Sequence, residues 1–175
     1  MIDLKHKTGN FDEVALARII DKFADDLFIY TCCIVKSKSL AEEVVDDVFI
    51  ELWKNRQSVC QIENMKSWLL VLARNKSISM LRKEQRHSYH TLLDDEAFEI
   101  ACSFQTPDEQ IISSEEVANI NAAIGKLPPR CQEVFVLAKI QKLPYKEISS
   151  ILNISVKTIN AHIAKALSVI SEAIN

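Results

Sequence analysis

Glycine is nearly missing from this chain. Of its 175 residues only Gly9 and Gly125 are glycine, where the usual share of about 7% would give roughly 12. Proline is confined to Pro107, Pro128, Pro129 and Pro144. Sheet-rich proteins and phosphate-cradling loops need positive φ at tight turns and close approach of backbone to ligand. The shortage therefore points to helices on short connections and argues against P-loop and dinucleotide-binding enzymes. Long apolar runs are also missing: stretches such as Trp68 to Ala73 fall far short of the roughly 18 residues that span a bilayer. The opening Met1-Ile-Asp-Leu-Lys has no secretory character, so a cytosolic protein is expected. The five cysteines, Cys32, Cys33, Cys60, Cys102 and Cys131, are odd in number and form no CxxC pair. That disfavours a disulfide framework and a structural zinc site, and reduced, mostly buried thiols are expected.

What is present is ordinary in amount and unusual in placement. Hydrophobic residues at 48% and charged residues at 26% match globular averages, and the length allows one domain or two small ones. The net charge of -3 conceals a segregation. Residues 1–87 are nearly balanced, with 14 Lys and Arg against 13 Asp and Glu. Ser88 to Gly125 holds eight acids and no Lys or Arg, while residues 126–175 carry seven bases and three acids. The acidic stretch includes Asp94, Asp95, Glu96, Glu99 and the Gln-Thr-Pro break at 105–107, and it reads as a linker. Inside the first part, Glu42 to Glu51 holds five acids and no base, and Lys66 to Arg86 holds six bases and one acid.

Hydrophobic spacing supports an all-α reading. Ile20, Phe23, Leu27, Tyr30 and Ile34 recur at three- and four-residue steps, the mark of one helical face. Ser39 with Glu42 is a capping-box signature opening a second helix through Val44, Val45, Val48, Phe49, Leu52 and Trp53. Trp68, Val71, Leu72 and Ile78 begin a third, running to about Arg86. Past the linker, Val117, Ile120 and Ile124 line a short helix that Gly125 is placed to cap. Pro128-Pro129 restarts the chain as a first helical turn, with Val134, Phe135, Leu137 and Ala138 following on helical spacing.

Tyr145 to Asn153, a turn ending in the N-cap residue Ser155, and Val156 to Ile174 predict a helix-turn-helix. Ile148, Ile151, Leu152, Ile154, Ile159, Ile163 and Leu167 form its inner face. Ser155, Lys157, Thr158, Asn160, Ala161, His162 and Lys165 are left at the start of the second helix, the part that enters the major groove in such motifs. A helical hairpin with a polar face fits the same spacing, and the basic balance of the segment favours the DNA-binding reading.

Two separate stretches carry a resemblance to a known family. Leu127-Pro-Pro-Arg-Cys-Gln-Glu-Val-Phe, Leu143-Pro-Tyr-Lys-Glu-Ile and Ile154-Ser-Val-Lys-Thr-Ile-Asn-Ala-His-Ile-Ala-Lys-Ala-Leu167 resemble the fourth region of bacterial sigma-70 family RNA polymerase sigma factors. Ala41-Glu-Glu-Val-Val-Asp-Asp-Val-Phe-Ile-Glu-Leu-Trp53, Ser67-Trp-Leu-Leu-Val-Leu-Ala-Arg-Asn75 and Leu81-Arg-Lys83 resemble the second. With only these two regions and a short linker, the chain resembles the small extracytoplasmic-function (ECF) branch. The resemblance covers about residues 10–87 and 115–174, and two motifs in the right order are more specific than a helix-turn-helix alone.

The resemblance implies two small helical domains: a three- to four-helix bundle over 1–87 and a helix-turn-helix domain over 115–175, joined by an acidic linker at 88–114. It implies that Asp46, Asp47, Phe49, Leu52, Trp53 and Lys54 dock on core RNA polymerase, aromatics anchoring and rim charges selecting. Asn64, Arg74, Asn75, Ser79, Arg82 and Lys83 would meet the melted upstream promoter element, phosphates on the cations and an extruded base in the loop before the helix. Partners implied are core polymerase, promoter DNA and an anti-sigma factor, often membrane-anchored in this family. No cofactor and no catalytic site of its own are expected. Ser79 and Asn160 stand where the family usually has acids, Ser168 and Ser171 where it has bases, and Pro144 where it has a capping Ser. The acidic linker would pass through the basic polymerase cleft, or serve as a solvated tether.

Alternatives outside the family are a free-standing helix-turn-helix regulator, a helical interaction module and a metal-dependent enzyme. His87 and His90 beside Asp94 and Asp95 are the one metal-like constellation. The acidic aromatic helix favours the polymerase subunit, since a plain repressor has no need of it.

Overall fold

The computed structural model describes residues 11–88 and 114–174. Among them are seven α-helices and no strand. The first half contains α1 (Glu13–Val35), α2 (Lys38–Lys54) and α3 (Met65–Ser88), with a single 3₁₀ turn at Val59–Gln61 between the last two. Asp12 starts α1: its backbone is extended and its carboxylate accepts the Ala15 N–H at 2.8 Å, which satisfies one of the four unpaired donors at a helix start. Ile19, Phe23, Leu27 and Tyr30 are buried on one face. Ile20 and Ile34, expected on that face, are half-buried at its edge.

The cap of α2 is Ser37, not Ser39. Ser37 is extended and its Oγ accepts the Leu40 N–H, so Ser39 falls inside the first turn and the expected capping box does not form. α1, α2 and α3 pack pairwise around Ala41, Val44, Val48, Leu52, Leu69, Leu70 and Ala73. Buried Thr31 and Ser77 donate to carbonyls one turn back, Leu27 and Ala73, so neither hydroxyl is stranded in the core.

The second half contains α4 (Ser114–Gly125), α5 (Pro129–Phe135), α6 (Tyr145–Leu152) and α7 (Val156–Ile174). Gly125 is the last residue of α4 and does not have positive φ, so the expected left-handed glycine cap is absent. Left-handed backbone falls instead on Lys36, Lys142 and Asn153. Pro129 opens α5 as expected. α5 runs into a π-helical turn, Val136–Ile140, in which the Gln141 N–H reaches back to the Val136 carbonyl at 2.9 Å. Pro144 precedes α6 without a side-chain cap.

The helix-turn-helix is built by its turn. Asn153 takes φ 53° and sends its N–H to the Ser149 carbonyl. The Ser149 hydroxyl donates to the Ile154 carbonyl at 2.6 Å, and Ser155 Oγ accepts the Thr158 N–H at 3.0 Å. Ile148, Ile151, Leu152, Ile159 and Ile163 face inward. Leu167 does not: it is 48% exposed, and Ala166 and Ile170 take the inner positions.

The halves pack on each other, α1 against α5 and α3 against α6. Residues 89–113 of the expected linker, with His90, Asp94, Asp95 and Cys102, lie outside the described residues, as do the side chains of His87 and Cys60. Cys32, Cys33 and Cys131 are buried. No described helix is long and apolar enough to cross a membrane.

Candidate functional site

Three exposed surfaces collect the residues singled out in the sequence. On α2, Glu42, Glu43, Asp46, Asp47 and Lys54 are exposed, an i, i+4 arrangement that puts them along one face. The apolar residues expected beside these charges, Phe49, Leu52 and Trp53, belong wholly or partly to the core. Leu52 is 0% exposed and Phe49 is buried, so both support the face from below. Trp53 is half-buried, with the Phe11 ring 6.4 Å away and the Arg56 guanidinium 4.9 Å over its face, a cation–π contact. The apolar group that does face outward among these acids is Ile50, 51% exposed. It was legible as the one apolar residue of α2 off the inner stripe.

On α3, Asn75, Ser79, Arg82 and Lys83 are exposed and follow each other at helical steps of three, four and seven, so they form a continuous polar stripe. Lys76, beside the stripe, lies 3.8 Å from Asp47 and 3.9 Å from Glu51 of α2. Arg74 is not on the stripe. Its Nε donates to Glu133 Oε1 of α5 at 2.8 Å and its side chain is only 15% exposed. Asn64, exposed at the start of α3, donates through Nδ2 to Glu147 of α6 at 3.0 Å and accepts the Ser67 N–H. The Ser67 hydroxyl also donates to Glu147, at 2.6 Å. Asn64, Ser67, Trp68 and Val71 with Lys146, Glu147, Ser150 and Ile151 line a groove of about 400 Å³ between α3 and α6.

On α7, Ser155, Lys157, Asn160, Ala161 and Lys165 are exposed and Thr158 and His162 are half-buried. Four of these side chains are already engaged. Ser155 Oγ lies 2.8 Å from the Thr158 hydroxyl and accepts the Thr158 N–H. Asn160 Nδ2 donates to the Val156 carbonyl at 3.0 Å, and His162 Nδ1 lies 3.1 Å from Cys131 Sγ. Lys157, Ala161 and Lys165 stand one turn apart along the outer face, a row suited to an anionic backbone.

The sequence reasoning missed a polar cluster at the seam between the halves. Glu133, buried, takes three donors: the Tyr30 hydroxyl at 3.1 Å, Arg74 Nε and Arg130 at 3.1 Å. Burial, first, and then the neighbouring Glu133 carboxylate push the Tyr30 phenol well above the ordinary tyrosine value, with Arg74 pulling the other way. Around this centre the Lys36 ammonium donates to the side-chain amide oxygen Oε1 of Gln132, Gln141 Nε2 donates to the Asp26 backbone carbonyl at 3.0 Å, and Lys66 bridges the Asp26 carboxylate at 2.8 Å and the Gln141 backbone carbonyl at 3.2 Å. The available signal was one acid, Glu133, between the buried positions of Gln132 and Val134. No group of three or more His, Cys, Asp or Glu suited to a metal ion occurs among the described residues.

Comparison with known proteins adds to this geometry. Residues 19–87 match the family described as Sigma-70 region 2, and residues 118–169 match Sigma-70, region 4. The ECF RNA polymerase sigma factor SigW of Bacillus subtilis is 29% identical over 161 residues, covering 87% of this chain and 84% of that protein. SigM of the same organism is 28% identical over 145 residues, covering 81% and 84%. Among solved structures, the sigma factor RpoE of Bartonella quintana, in complex with the anti-sigma factor NepR, aligns with a TM-score of 0.69 at 19% identity, over 90% of this chain and 94% of that one.

Proposed function

For a chain that belongs to the sigma-70 family of RNA polymerase sigma factors, and to its ECF branch, we propose the following division of labour. Residues 1–87 hold core polymerase and the melted upstream element, 88–114 tether, and 115–175 bind the far upstream element as duplex. The observation that carries it is the separation of three exposed surfaces onto different elements: acids around Ile50 on α2, a polar and basic stripe on α3, and a basic row at the start of α7.

Each surface suits a different ligand. Asp46, Asp47 and Lys54 supply rim charges around an apolar anchor, Ile50, with Phe49, Leu52 and Trp53 stiffening it from behind, an arrangement fit for a basic protein surface. Asn75, Ser79, Arg82 and Lys83 combine phosphate neutralisation with neutral hydrogen-bonding groups, and Arg74 and Asn64 join them when their partners on the other half withdraw. Ser155, Lys157, Thr158, Asn160, Ala161, His162 and Lys165 lie where a recognition helix enters the major groove. Strand opening needs no bond chemistry, only tighter binding to the opened strand than to the duplex, so the protein acts as a specificity subunit without a catalytic site of its own. It works in the cytoplasm.

An anti-sigma factor, membrane-anchored or soluble, is the natural antagonist. Relatives solved in such complexes, RpoE with NepR and CnrH with the cytosolic domain of CnrY, support that reading. The test is capture of core polymerase followed by transcription from a promoter that the holoenzyme selects. Alanine changes at Lys157 and Asn160 should lower promoter use while leaving polymerase capture intact.

A further inference from the structure

We infer that Cys131 of α5 is a positioning residue for promoter reading: its thiol holds the His162 ring so that Nε2 presents an N–H donor to an acceptor on a base edge of the major groove, with guanine the matching base. The inference rests on the functional reading above, in which the start of α7 enters duplex DNA, and it names a residue outside that helix that acts on its specificity.

The placement of the pair carries the argument. α5 and α7 pack on each other, and Cys131, 2% exposed, has its Sγ 3.1 Å from His162 Nδ1. His162 stands at the edge of α7. Ile159 and Ile163 beside it are buried, Ala161 and Lys165 are exposed, and His162 itself is half-buried, so its ring reaches from the core to the outer face. The two nitrogens of an imidazole lie on opposite sides of Cε1. With Nδ1 turned inward onto a buried thiol, Nε2 is directed outward.

The thiol also sets what Nε2 offers. A neutral imidazole carries one ring proton, and the nitrogen that holds it is decided by what the other nitrogen meets. Cys131 is not in a disulfide, so its sulfur carries an S–H to give, and the unprotonated ring nitrogen is the acceptor within reach. The ring proton then sits on Nε2, and the group facing DNA is a donor. In the major groove guanine presents two acceptors, N7 and O6, to such a group, whereas cytosine presents a donor. Ser155, Thr158 and Asn160 are drawn into bonds within their own helix. His162 differs in being held from outside α7, and a ring already fixed at one nitrogen gives up little further freedom when the other meets a base.

The test has one readout without DNA and one with it. Nitrogen NMR shifts of the isotope-labelled histidine rings in the full chain, in mildly alkaline buffer, report which nitrogen holds the proton. His162 is expected as the Nε2–H form, and a proton on Nδ1 overturns the proposal. This readout needs no substitution, so it stands even where a variant fails to fold. For the second, core RNA polymerase carrying the unaltered chain, Cys131→Ala or Cys131→Ser, each checked for folding by circular dichroism, selects upstream elements from a randomised duplex library. Cys131→Ala should lose about fivefold of the preference for guanine at one position, the worth of one hydrogen bond. The salt dependence of binding, which counts phosphate contacts, should not change. Cys131→Ser keeps a donor at that place and should restore the preference. Identical profiles for the unaltered chain and Cys131→Ala, or a uniform loss that Cys131→Ser does not rescue, leave Cys131 a packing role and overturn the proposal. Selection of no upstream sequence by polymerase carrying the unaltered chain is a separate result: it overturns the assignment of α7 to duplex DNA, on which the proposal stands.

Discussion

Arg74 of α3 and Glu133 of α5 are 59 residues apart in sequence and 2.8 Å apart in space, and both are largely buried. The pair joins a residue of the first half to one of the helix-turn-helix half. Removing either partner strands the other in a poorly solvated site. A double-mutant cycle on thermal or urea unfolding with Arg74→Ala, Glu133→Ala and both should therefore give a coupling energy of order 1–3 kcal/mol. Additive losses would mean that the two side chains do not meet in solution.

Tyr30 gives this seam an alkaline limit. Its folded pKa is raised, so the buried neutral phenol adds stability fully present below the unfolded value of about 10 and lost as pH climbs toward the folded value. Glu133, Arg74 and Cys33 are the charged or titratable groups acting on it. Melting temperature should fall as pH rises above about 10 more steeply in the natural chain than in Tyr30→Phe, the comparison that subtracts other tyrosines and lysines. Parallel pH profiles would contradict this assignment.

At the α2 surface, Ile50→Asp and Asp47→Arg should each weaken capture of core polymerase, by about tenfold for a central anchor, with melting temperature nearly unchanged because both residues are exposed. Leu52→Ala should behave in the opposite way, lowering stability by about 2–5 kcal/mol as a core truncation. Equal binding by the Ile50 and Asp47 variants would move the docking site elsewhere.

Asn153 holds the turn of the helix-turn-helix in left-handed backbone, φ 53°. A residue with a Cβ and no polar side chain is disfavoured there by about 1–2 kcal/mol. Asn153→Ala should lose about 1 kcal/mol on urea unfolding and weaken duplex binding, while Asn153→Gly should be neutral or stabilising.

Local physics made much of this protein legible in advance. The helix-turn-helix was readable because its signals are short-range: Ser155 caps within three residues, Pro144 and Asn153 bound α6, and Ile148 and Ile159 keep helical step. Errors arose where local signals were degenerate. Ser37 and Ser39 are both competent caps, and only the extended backbone of Ser37 decides between them. At Leu167 a four-residue step from Ile163 competes with the Ala166 and Ile170 positions, and packing of α7 against α4 and α5 selects the latter. The seam was not readable, because the partners of Glu133 that cross it, Arg74 and Tyr30, lie 59 and 103 residues away and no periodicity links them. Arg74 looked like a phosphate ligand for the same reason that it pairs with Glu133: a guanidinium takes either anion.

The central claim is that this chain is a polymerase subunit whose two halves read two DNA elements. The most direct measurement is capture of purified bacterial core RNA polymerase by the full-length protein, followed by selection of promoter fragments from a random library. Stoichiometric binding and a recurrent two-element signature are predicted. Absence of polymerase binding, with duplex DNA retained by the protein alone, would contradict the account.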